Sequence, residues 1–170
     1  MRDIFWIRHA PIIQKGIYTG QHDVEAIIPS HPPNFNFPEN AVWFSSPLKR
    51  AVQTAQWIGK PHIIAPQLQE QHFGVWEGKS YDEVWKEAEY AYDWSKPETV
   101  RPDNGESFID VCMRVEKWLD NTLITHPHVP FVIVAHAGSI RAGLRHIKNL
   151  THMEALAIEI KHLEAIETQY

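Results

Sequence analysis

Residues 3–10 read Asp-Ile-Phe-Trp-Ile-Arg-His-Ala, an apolar run that is followed directly by a cation and an imidazole. A short apolar run bounded by polar residues is typical of a strand that is buried on both faces of a sheet. In open α/β sheets, ligands bind beyond the carboxyl ends of the strands. The stretch therefore predicts a central strand over residues 3–8, with Arg8 and His9 at the functional edge of the sheet.

Other segments have strand-like patterns. Residues 41–45 and 62–65 are short apolar runs, and residues 131–135 read Phe-Val-Ile-Val-Ala. Further along, residues 156–160 and 163–168 alternate apolar and polar side chains across a short gap, which predicts a hairpin on the sheet edge. Because these strands alternate with helical stretches, we expect the α/β class: a three-layer α/β/α sandwich around a largely parallel central sheet.

Four helices are predicted between these strands. Pro47 suits the first position of a helix and Gly59 its end, while Ser80 and Glu83 form a capping-box pattern. Apolar residues recur at helical spacing along a third segment. The predicted helices cover 47–59, 80–93, 106–124 and a segment from just after Gly138 to about Asn149. Four prolines between residues 29 and 40 predict a surface loop.

The composition favours one soluble domain that spans residues 1–170. The length of 170 residues, the hydrophobic share of 44% and the charged share of 22% are ordinary for a single globular domain. No apolar run approaches the roughly 20 residues that a membrane helix requires. The net charge of −5, without a run of basic residues, argues against a nucleic-acid partner. A small anionic ligand remains open, since it needs only a few converging cations.

We expect a cytoplasmic protein. The N-terminal segment lacks the basic region, apolar stretch and small-residue cleavage site of a secretion signal. Cys112 is the only cysteine, which excludes an intrachain disulfide and fits a reducing compartment. Because Cys112 lies on the apolar face of the predicted helix 106–124, we expect it in the core rather than in a nucleophilic role.

Four segments carry side chains that fit one chemistry. Arg8-His9 and His136 follow predicted central strands directly, and Arg50 lies in the first turn of the helix after a third strand. Phosphoryl transfer needs fixed donors around the equatorial oxygens, which arginine forks and a helix N-terminus supply. A neutral histidine can act as nucleophile, and a carboxylic acid can protonate the leaving oxygen. The segment 70–78 adds carboxylates, so the chain holds every group that this chemistry requires.

Taken in order, these segments resemble the histidine phosphatase superfamily, also called the phosphoglycerate mutase-like family. Its four motifs match Arg8-His9, Ser46 to Ala55, Glu70 to Gly78, and His136 to Arg141. The stretch Gly105 to Phe108 is similar to a Gly-Glu-Ser pattern of the same family. Each motif alone is weak, but five in family order over nearly the whole chain form a specific match.

The resemblance implies a role for each matched residue. His9 would be the nucleophile that becomes a phosphohistidine. Arg8, Arg50 and His136 would hold the phosphoryl oxygens. Glu70 would be the acid that protonates the leaving group and then the base that activates water. No metal or other cofactor is implied.

Two alanines replace glycines of the family motifs, and a Thr-Gly pair lies between the first two motifs. Ala10 replaces the glycine of the Arg-His-Gly hallmark, and Ala137 replaces the first glycine after the second histidine. Alanine at a positive φ would cost about 1 kcal/mol or more, so we expect a negative φ at both. Thr19-Gly20 lies where members of the family contact substrate through a Thr/Ser-Gly pair, which implies substrate binding by Thr19 and Gly20.

Other titratable residues have plainer interpretations. Glu77 is the nearest competitor for the acid role, but it lies within a Trp-Glu-Gly turn and is interpreted as structural. The remaining histidines lack the His-Glu-x-x-His spacing of a zinc site and are expected at the surface. They are His22, His31, His62, His72, His126, His128, His146, His152 and His162.

The sequence thus favours a phosphomonoester hydrolase that acts on a small phosphorylated metabolite. Within the family that the chain resembles, phosphoglycerate mutases are usually longer and carry additional basic residues, so the resemblance implies hydrolysis rather than phosphoglycerate mutase-type transfer. The compact motif set is similar to α-ribazole-5′-phosphate phosphatases, so α-ribazole phosphate and sugar phosphates are the expected substrates. A protein phosphohistidine phosphatase and a non-catalytic phosphate-binding protein stay open, as does the oligomeric state. Residues of 11–35 and 76–105 should roof the pocket. The rings expected to stack on substrate are Trp76, Trp85, Tyr90, Tyr92 and Trp94.

Overall fold

A five-stranded sheet forms the centre of the protein, in a computed structural model that describes residues 2–170. The strands are β1 (Asp3–Arg8), β2 (Val42–Ser45), β3 (Ile63–Ile64), β4 (Phe131–Ala135) and β5 (Ala165–Gln169). They lie in the order β3-β2-β4-β1-β5. The pairings among β1 to β4 are parallel, and β5 joins β1 antiparallel. The prediction of a largely parallel sheet is confirmed.

Residues 2–170 contain five α-helices, of which the first four were predicted. They are α1 (Lys49–Ile58), α2 (Tyr81–Ala88), α3 (Phe108–Thr125), α4 (Ala137–Lys148) and α5 (His152–Leu156). The Ser80 hydroxyl accepts from the Glu83 N–H while the Glu83 carboxylate accepts from the Ser80 N–H, which confirms the predicted capping box of α2. Residues 29–40 form no helix or strand, as predicted.

Some helix ends differ from the prediction. Leu48 is the N-cap of α1, so Pro47 lies before the helix rather than at its first position. Ser107 caps α3, which therefore begins at Phe108. α2 ends at Ala88 instead of residue 93, because the chain turns back and the Trp94 indole N–H donates to the Ala88 carbonyl, 3.1 Å away. That bond satisfies one of the open carbonyls at the helix end.

The predicted hairpin over 156–160 and 163–168 is wrong. Residues 152–156 form α5, and the last strand pairs with β1 instead of with a hairpin partner. Ile158 and Ile160 do pack against the main core, which explains their alternation with polar residues. Their carbonyls, however, accept from Arg141 and Arg8 rather than from a neighbouring strand. Two arginine side chains thus replace the ladder that the pattern predicted.

Helices cover both faces of the sheet. Ile4 and Trp6 of β1 pack on the face that α3 and α4 cover, where Leu119 and Leu144 join the main core. The alternate residues of β1 pack on the opposite face against α1. This arrangement confirms the α/β/α sandwich, and it explains why β1 reads as a continuous apolar run.

Cys112 lies in a third cluster, where α3 meets α4 and α5. Burial raises the pKa of its thiol to about 11, which agrees with the predicted core role. No helix of residues 2–170 has both the length and the apolar character needed to cross a bilayer.

Gly143 generates a prediction about packing between α4 and the sheet. A Cβ at this position would overlap the six-membered ring of the Trp6 indole, which is completely buried. Gly→Ala in an open helix position stabilises by about 1 kcal/mol. We expect Gly143→Ala instead to lower the free energy of unfolding by about 2 kcal/mol, since the buried ring cannot yield without strain. Chemical denaturation measures the change.

The matched control for this prediction uses a smaller ring. In a Trp6→Phe background the overlapping atoms are absent, so the same Gly143→Ala change should be neutral or stabilising. An equal loss of stability in both backgrounds would contradict the proposed contact.

Candidate active site

The two histidines of the matched motifs meet because β1 and β4 are adjacent parallel strands. Arg8 and Ala135 are register partners at the ends of these strands. The backbone N–H of His9 donates to the Ala135 carbonyl over 3.0 Å. The next residue after each strand is therefore a histidine at the same level, and the ring centroids of His9 and His136 lie 5.0 Å apart.

His9 is held as a neutral imidazole with a defined tautomer. Its Nδ1 lies 2.7 Å from the carbonyl oxygen of Ala10, which can only accept, so Nδ1 carries the proton. The Arg50 Nε–H donates to His9 Nε2 over 3.2 Å. Burial, together with the charge of Arg50, lowers the pKa of His9 well below its ordinary value. Nε2 therefore presents a lone pair to Arg50.

Arg50 is an almost completely buried cation, with 2% of its surface exposed. Its Nη1 donates to the His22 carbonyl over 2.8 Å, and its Nη2 donates to the Gly20 carbonyl over 2.7 Å. A buried charge is tolerated when it is hydrogen-bonded in this way. A guanidinium has five N–H groups, so two remain available beside His9.

His136 is completely buried next to His9. Its Nε2 lies 2.7 Å from the hydroxyl oxygen of Ser46, the residue that follows β2. Burial, together with the charge of Arg50, lowers the pKa of His136 well below its usual range. Ser46 stood in a matched motif without an assigned role, and the structure shows that it orients this ring.

Glu70 lies at the N-terminus of α4. Its Oε1 accepts from the Gly138 N–H at 3.1 Å and from the Gln71 N–H at 2.9 Å. A helix N-terminus stabilises negative charge through its open N–H groups and its dipole. At the helix N-terminus that follows His136, the Gly138 N–H thus binds the Glu70 carboxylate.

Arg114 of α3 fixes the segment that carries Glu70, and sequence reasoning missed it. All five of its N–H groups are used: two on the Glu106 carboxylate and three on the carbonyls of residues 67, 69 and 70. Burial raises the pKa of Glu106, but the hydrogen bonds and charge of Arg114 outweigh this effect and lower it. The position of Glu106 in the Gly-Glu-Ser stretch was the available signal for this ion pair.

Thr54 connects the loop after β1 to α1. Its hydroxyl donates to the Arg50 carbonyl and accepts from the Ala10 N–H at 2.9 Å. Ala10 is completely buried, and neither Ala10 nor Ala137 is among the residues with positive φ. The expectation of negative φ at both alanines is confirmed.

Thr19 and Gly20 line one cavity together with Arg50. Glu77 supports this loop, because its Oε1 accepts from the Gln21 N–H at 2.8 Å and from the Phe73 N–H at 3.1 Å. The side chain of Glu77 is 8% exposed. These contacts agree with the structural interpretation of Glu77.

One cavity of about 310 Å³ adjoins these residues. Six of the seven predicted site residues line it, and the seventh, His136, is buried beside His9. The six are Arg8, His9, Thr19, Gly20, Arg50 and Glu70. Arg141, which stood in the fourth matched motif without an assigned role, also lines the cavity from α4.

The aromatic rings that were predicted to stack on substrate are not the rings that line the cavity. Trp76, Trp94 and Tyr92 pack against one another under α2, with the ring centroids of Trp76 and Tyr92 5.4 Å apart. Tyr90 is 93% exposed, and Trp85 contacts Trp94. The rings that line the cavity are Tyr18, Phe73, Tyr81 and Phe108. The segment over residues 76–105 has its own small core, and that core uses the predicted rings.

His162 also departs from its prediction as a surface residue. It is partly buried, and its Nδ1 lies 2.7 Å from the His9 carbonyl oxygen. The ring centroids of His9 and His162 are 5.1 Å apart. The wrong hairpin concealed this contact, since the chain at residue 162 passes the end of β1.

Within residues 2–170, no three histidine, cysteine, aspartate or glutamate side chains are grouped so that they could hold a metal ion.

Two histidines, two arginines and a carboxylate at the end of parallel strands are what a phosphoryl-transfer site requires. The chain belongs to the histidine phosphatase superfamily (branch 1), whose sequence model matches residues 34–170. The matched range includes Arg50, Glu70 and His136 and begins after Arg8 and His9. The family predicted from the motifs is therefore confirmed.

Two curated relatives illustrate the range of similar proteins. The chain is 31% identical over 106 residues to the bifunctional protein Rv2228c of Mycobacterium tuberculosis, a match that covers 59% of this chain and 29% of that protein. It thus spans less than a third of that relative's length. It is 28% identical over 155 residues to a 2,3-bisphosphoglycerate-dependent phosphoglycerate mutase of Cytophaga hutchinsonii, covering 84% of this chain and 70% of the mutase.

Solved structures share the fold. A candidate α-ribazole-5′-P phosphatase from Escherichia coli is similar with a TM-score of 0.82 and 19% identity, over 98% of this chain and 89% of that one. The mycobacterial glucosyl-3-phosphoglycerate phosphatase Rv2419c, in complex with VO3, is similar with a TM-score of 0.79 and 21% identity, over 98% and 92%.

The state of His9 gives a prediction for solution. Because its pKa is lowered, the ring should stay neutral at pH values where an ordinary histidine, with a pKa near 6.5, is half protonated. We expect the ¹⁵N signal of His9 Nε2 to remain that of an unprotonated nitrogen from pH 7.5 down to pH 5.5. The signal is assigned by its loss in His9→Gln.

The control for this titration is the same protein unfolded in urea, where its histidines should titrate with ordinary pKa values. A midpoint at or above 6.5 for His9 in the folded protein would contradict the neutral, buried site.

Proposed function

We propose that this protein is a phosphomonoester hydrolase that acts on a small phosphorylated metabolite through a phosphohistidine on His9. One observation carries the proposal. The lone pair of His9 Nε2 meets the buried Arg50 guanidinium in a cavity that also holds the Glu70 carboxyl group. Nucleophile, cation and acid are thus available to one bound phosphate ester.

In the first step, His9 Nε2 attacks phosphorus as the ester P–O bond breaks. Nδ1 keeps its proton throughout, because its bond to the Ala10 carbonyl stabilises the positive charge that develops on the ring. Arg8 and Arg50 hold the phosphoryl oxygens, with His136 as the third group beside the nucleophile. Protonated Glu70 gives its proton to the leaving oxygen.

In the second step, water attacks the phosphohistidine. The Glu70 carboxylate takes a proton from this water, the P–N bond breaks, and its electron pair returns to Nε2. Inorganic phosphate leaves, and both residues regain their starting states. The hydrogen bonds from Gly138 and Gln71 and the Arg114 contact to the Glu70 carbonyl hold the carboxyl group in place for both roles.

The substrate is a small molecule in this proposal. A cavity of about 310 Å³ with four aromatic side chains on its wall suits a metabolite with a ring or a short carbon chain. The glucosyl-3-phosphoglycerate phosphatase and candidate α-ribazole-5′-P phosphatase similarities support a sugar phosphate or α-ribazole phosphate. Family membership and phosphatase-named relatives support the broader class, a phosphatase or mutase.

The second candidate is phosphoryl transfer between two positions of a phosphoglycerate, which the Cytophaga mutase relative favours. A protein phosphohistidine phosphatase is less well supported, because a nitrogen leaving group has less need of the acid that Glu70 provides. A non-catalytic role also loses its main argument, since neither Ala10 nor Ala137 has the positive φ that would strain the site.

The first test compares wild type with His9→Ala on 4-nitrophenyl phosphate and on a panel of phosphomonoesters. We expect release of inorganic phosphate by wild type and at least a 1,000-fold lower kcat in the variant, since the covalent route is lost. Acid-labile, base-stable phosphate on His9 should be trapped in a rapid quench.

No turnover by the intact protein would contradict the enzyme. An isomerised phosphoglycerate without phosphate release would instead indicate the mutase. Glu167→Gln, at an exposed position of β5 that does not line the cavity, is the control for substitution as such.

The role of Glu70 gives a separate prediction. Glu70→Gln cannot donate a proton to the leaving oxygen but can still accept from the Gly138 N–H. We expect kcat/KM to fall about 100-fold or more for alkyl phosphates, whose leaving groups need protonation, and clearly less for 4-nitrophenyl phosphate. Equal losses for both classes of ester would exclude the acid role.

A further inference from the structure

Arg141 stands apart from the other arginines of the site. It lines the cavity from α4, next to Phe108 and Leu156, and its Nε–H donates to the Ile158 carbonyl at 2.9 Å. Among residues 2–170 its Nη1 and Nη2 groups have no hydrogen-bond or ion-pair partner. Arg141 is partly buried, and four of its N–H donors therefore have no acceptor within the described residues.

Arg141 and Arg8 place two positive charges on the wall of one cavity. Burial lowers the pKa of Arg8, Glu70 opposes that effect, and the positive charge of Arg141 lowers it further. The positive charges of Arg8 and Arg141 therefore repel each other at the wall of one cavity. Buried Arg50 and clamped Arg114 both have carbonyl or carboxylate partners for their Nη groups, whereas Arg141 has none in the described chain.

We propose that Arg141 binds a second anionic group of the substrate, a carboxylate, and so selects phosphomonoesters of carboxylic acids. The guanidinium fork matches both carboxylate oxygens. The inference rests on the proposed phosphomonoesterase and specifies its substrate class.

The position of Arg141 separates this role from that of the phosphoryl clamp. Arg50 contacts His9 directly, whereas Arg141 is held by the Ile158 carbonyl on the wall near α5. A short substrate with its phosphate at His9 can therefore place a second anion against Arg141. The residue disfavours α-ribazole phosphate, which has no anionic group besides its phosphate.

The experiment uses two compounds that differ only in the second group. D-3-phosphoglycerate has a carboxylate where sn-glycerol 1-phosphate, which has the same configuration at its central carbon, has a hydroxymethyl group. Each is measured as a competitive inhibitor of 4-nitrophenyl phosphate hydrolysis, which gives an inhibition constant whether or not the compound is itself hydrolysed. For wild type we expect 3-phosphoglycerate to bind about 30-fold more tightly than sn-glycerol 1-phosphate, the value of one charge-assisted arginine–carboxylate pair.

Arg141→Met should reduce this ratio to about 1, and Arg141→Lys should retain part of it through the charge. The ratio is the decisive measurement, because damage to the fold or to the phosphoryl clamp changes both inhibition constants together. Arg145→Met is the matched control: Arg145 lies one turn further along α4, faces Glu116 at 3.6 Å and does not line the cavity. It should leave the ratio unchanged.

A wild-type ratio near 1, or a ratio that survives in Arg141→Met, would overturn the role of Arg141 while the phosphatase stands. Failure of wild type to hydrolyse 4-nitrophenyl phosphate would contradict the proposed function itself, so the two failures are distinguishable.

Discussion

The site depends on the parallel pairing of β1 with β4 in one register. Opposite Arg8 stands Ala135, so both chains leave the sheet at the same level and both continue with a histidine. β1 is buried on both faces, with Ile4 and Trp6 on one side and Phe5 and Ile7 on the other. A slip by one residue would exchange these faces and separate the two rings. Core packing therefore fixes the distance between the histidines.

The second constraint is the burial of Arg50. Its charge requires acceptors, and it takes them from the backbone carbonyls of Gly20 and His22. The loop that supplies these carbonyls is fixed in turn by Glu77, whose carboxylate binds backbone N–H groups on two segments. One buried cation thus organises the wall of the cavity as well as the surroundings of His9. A preorganised site requires such rigid contacts around the residues that face the substrate.

Much of this could be predicted from sequence, and the failures have a common cause. The central strands and the histidines at their ends were readable because hydrophobic patterning and strand-end placement are local signals. The hairpin prediction was wrong because the carbonyls of Ile158 and Ile160 accept hydrogen bonds from arginines of distant segments. Arg114 was missed and Arg141 had no assigned role for the same reason: the backbone carbonyls that they bind lie far along the chain, which no spacing encodes.

The fold restricts the residue type at some alanine and glycine positions of the motifs and not at others. Alanine is accepted at residues 10 and 137 because φ is negative at both, and Ala10 is completely buried without displacing a neighbour. At Gly138 and Gly20 a Cβ would overlap a carboxylate oxygen, of Glu70 and Glu77 respectively. A side chain at either position would displace the carboxylate that lies beside the backbone. Gly20 also has a positive φ, which favours glycine whatever the space, whereas at Gly138 the constraint is the position of Glu70. Glycine at residue 138 therefore lets the proposed acid reach the helix N-terminus.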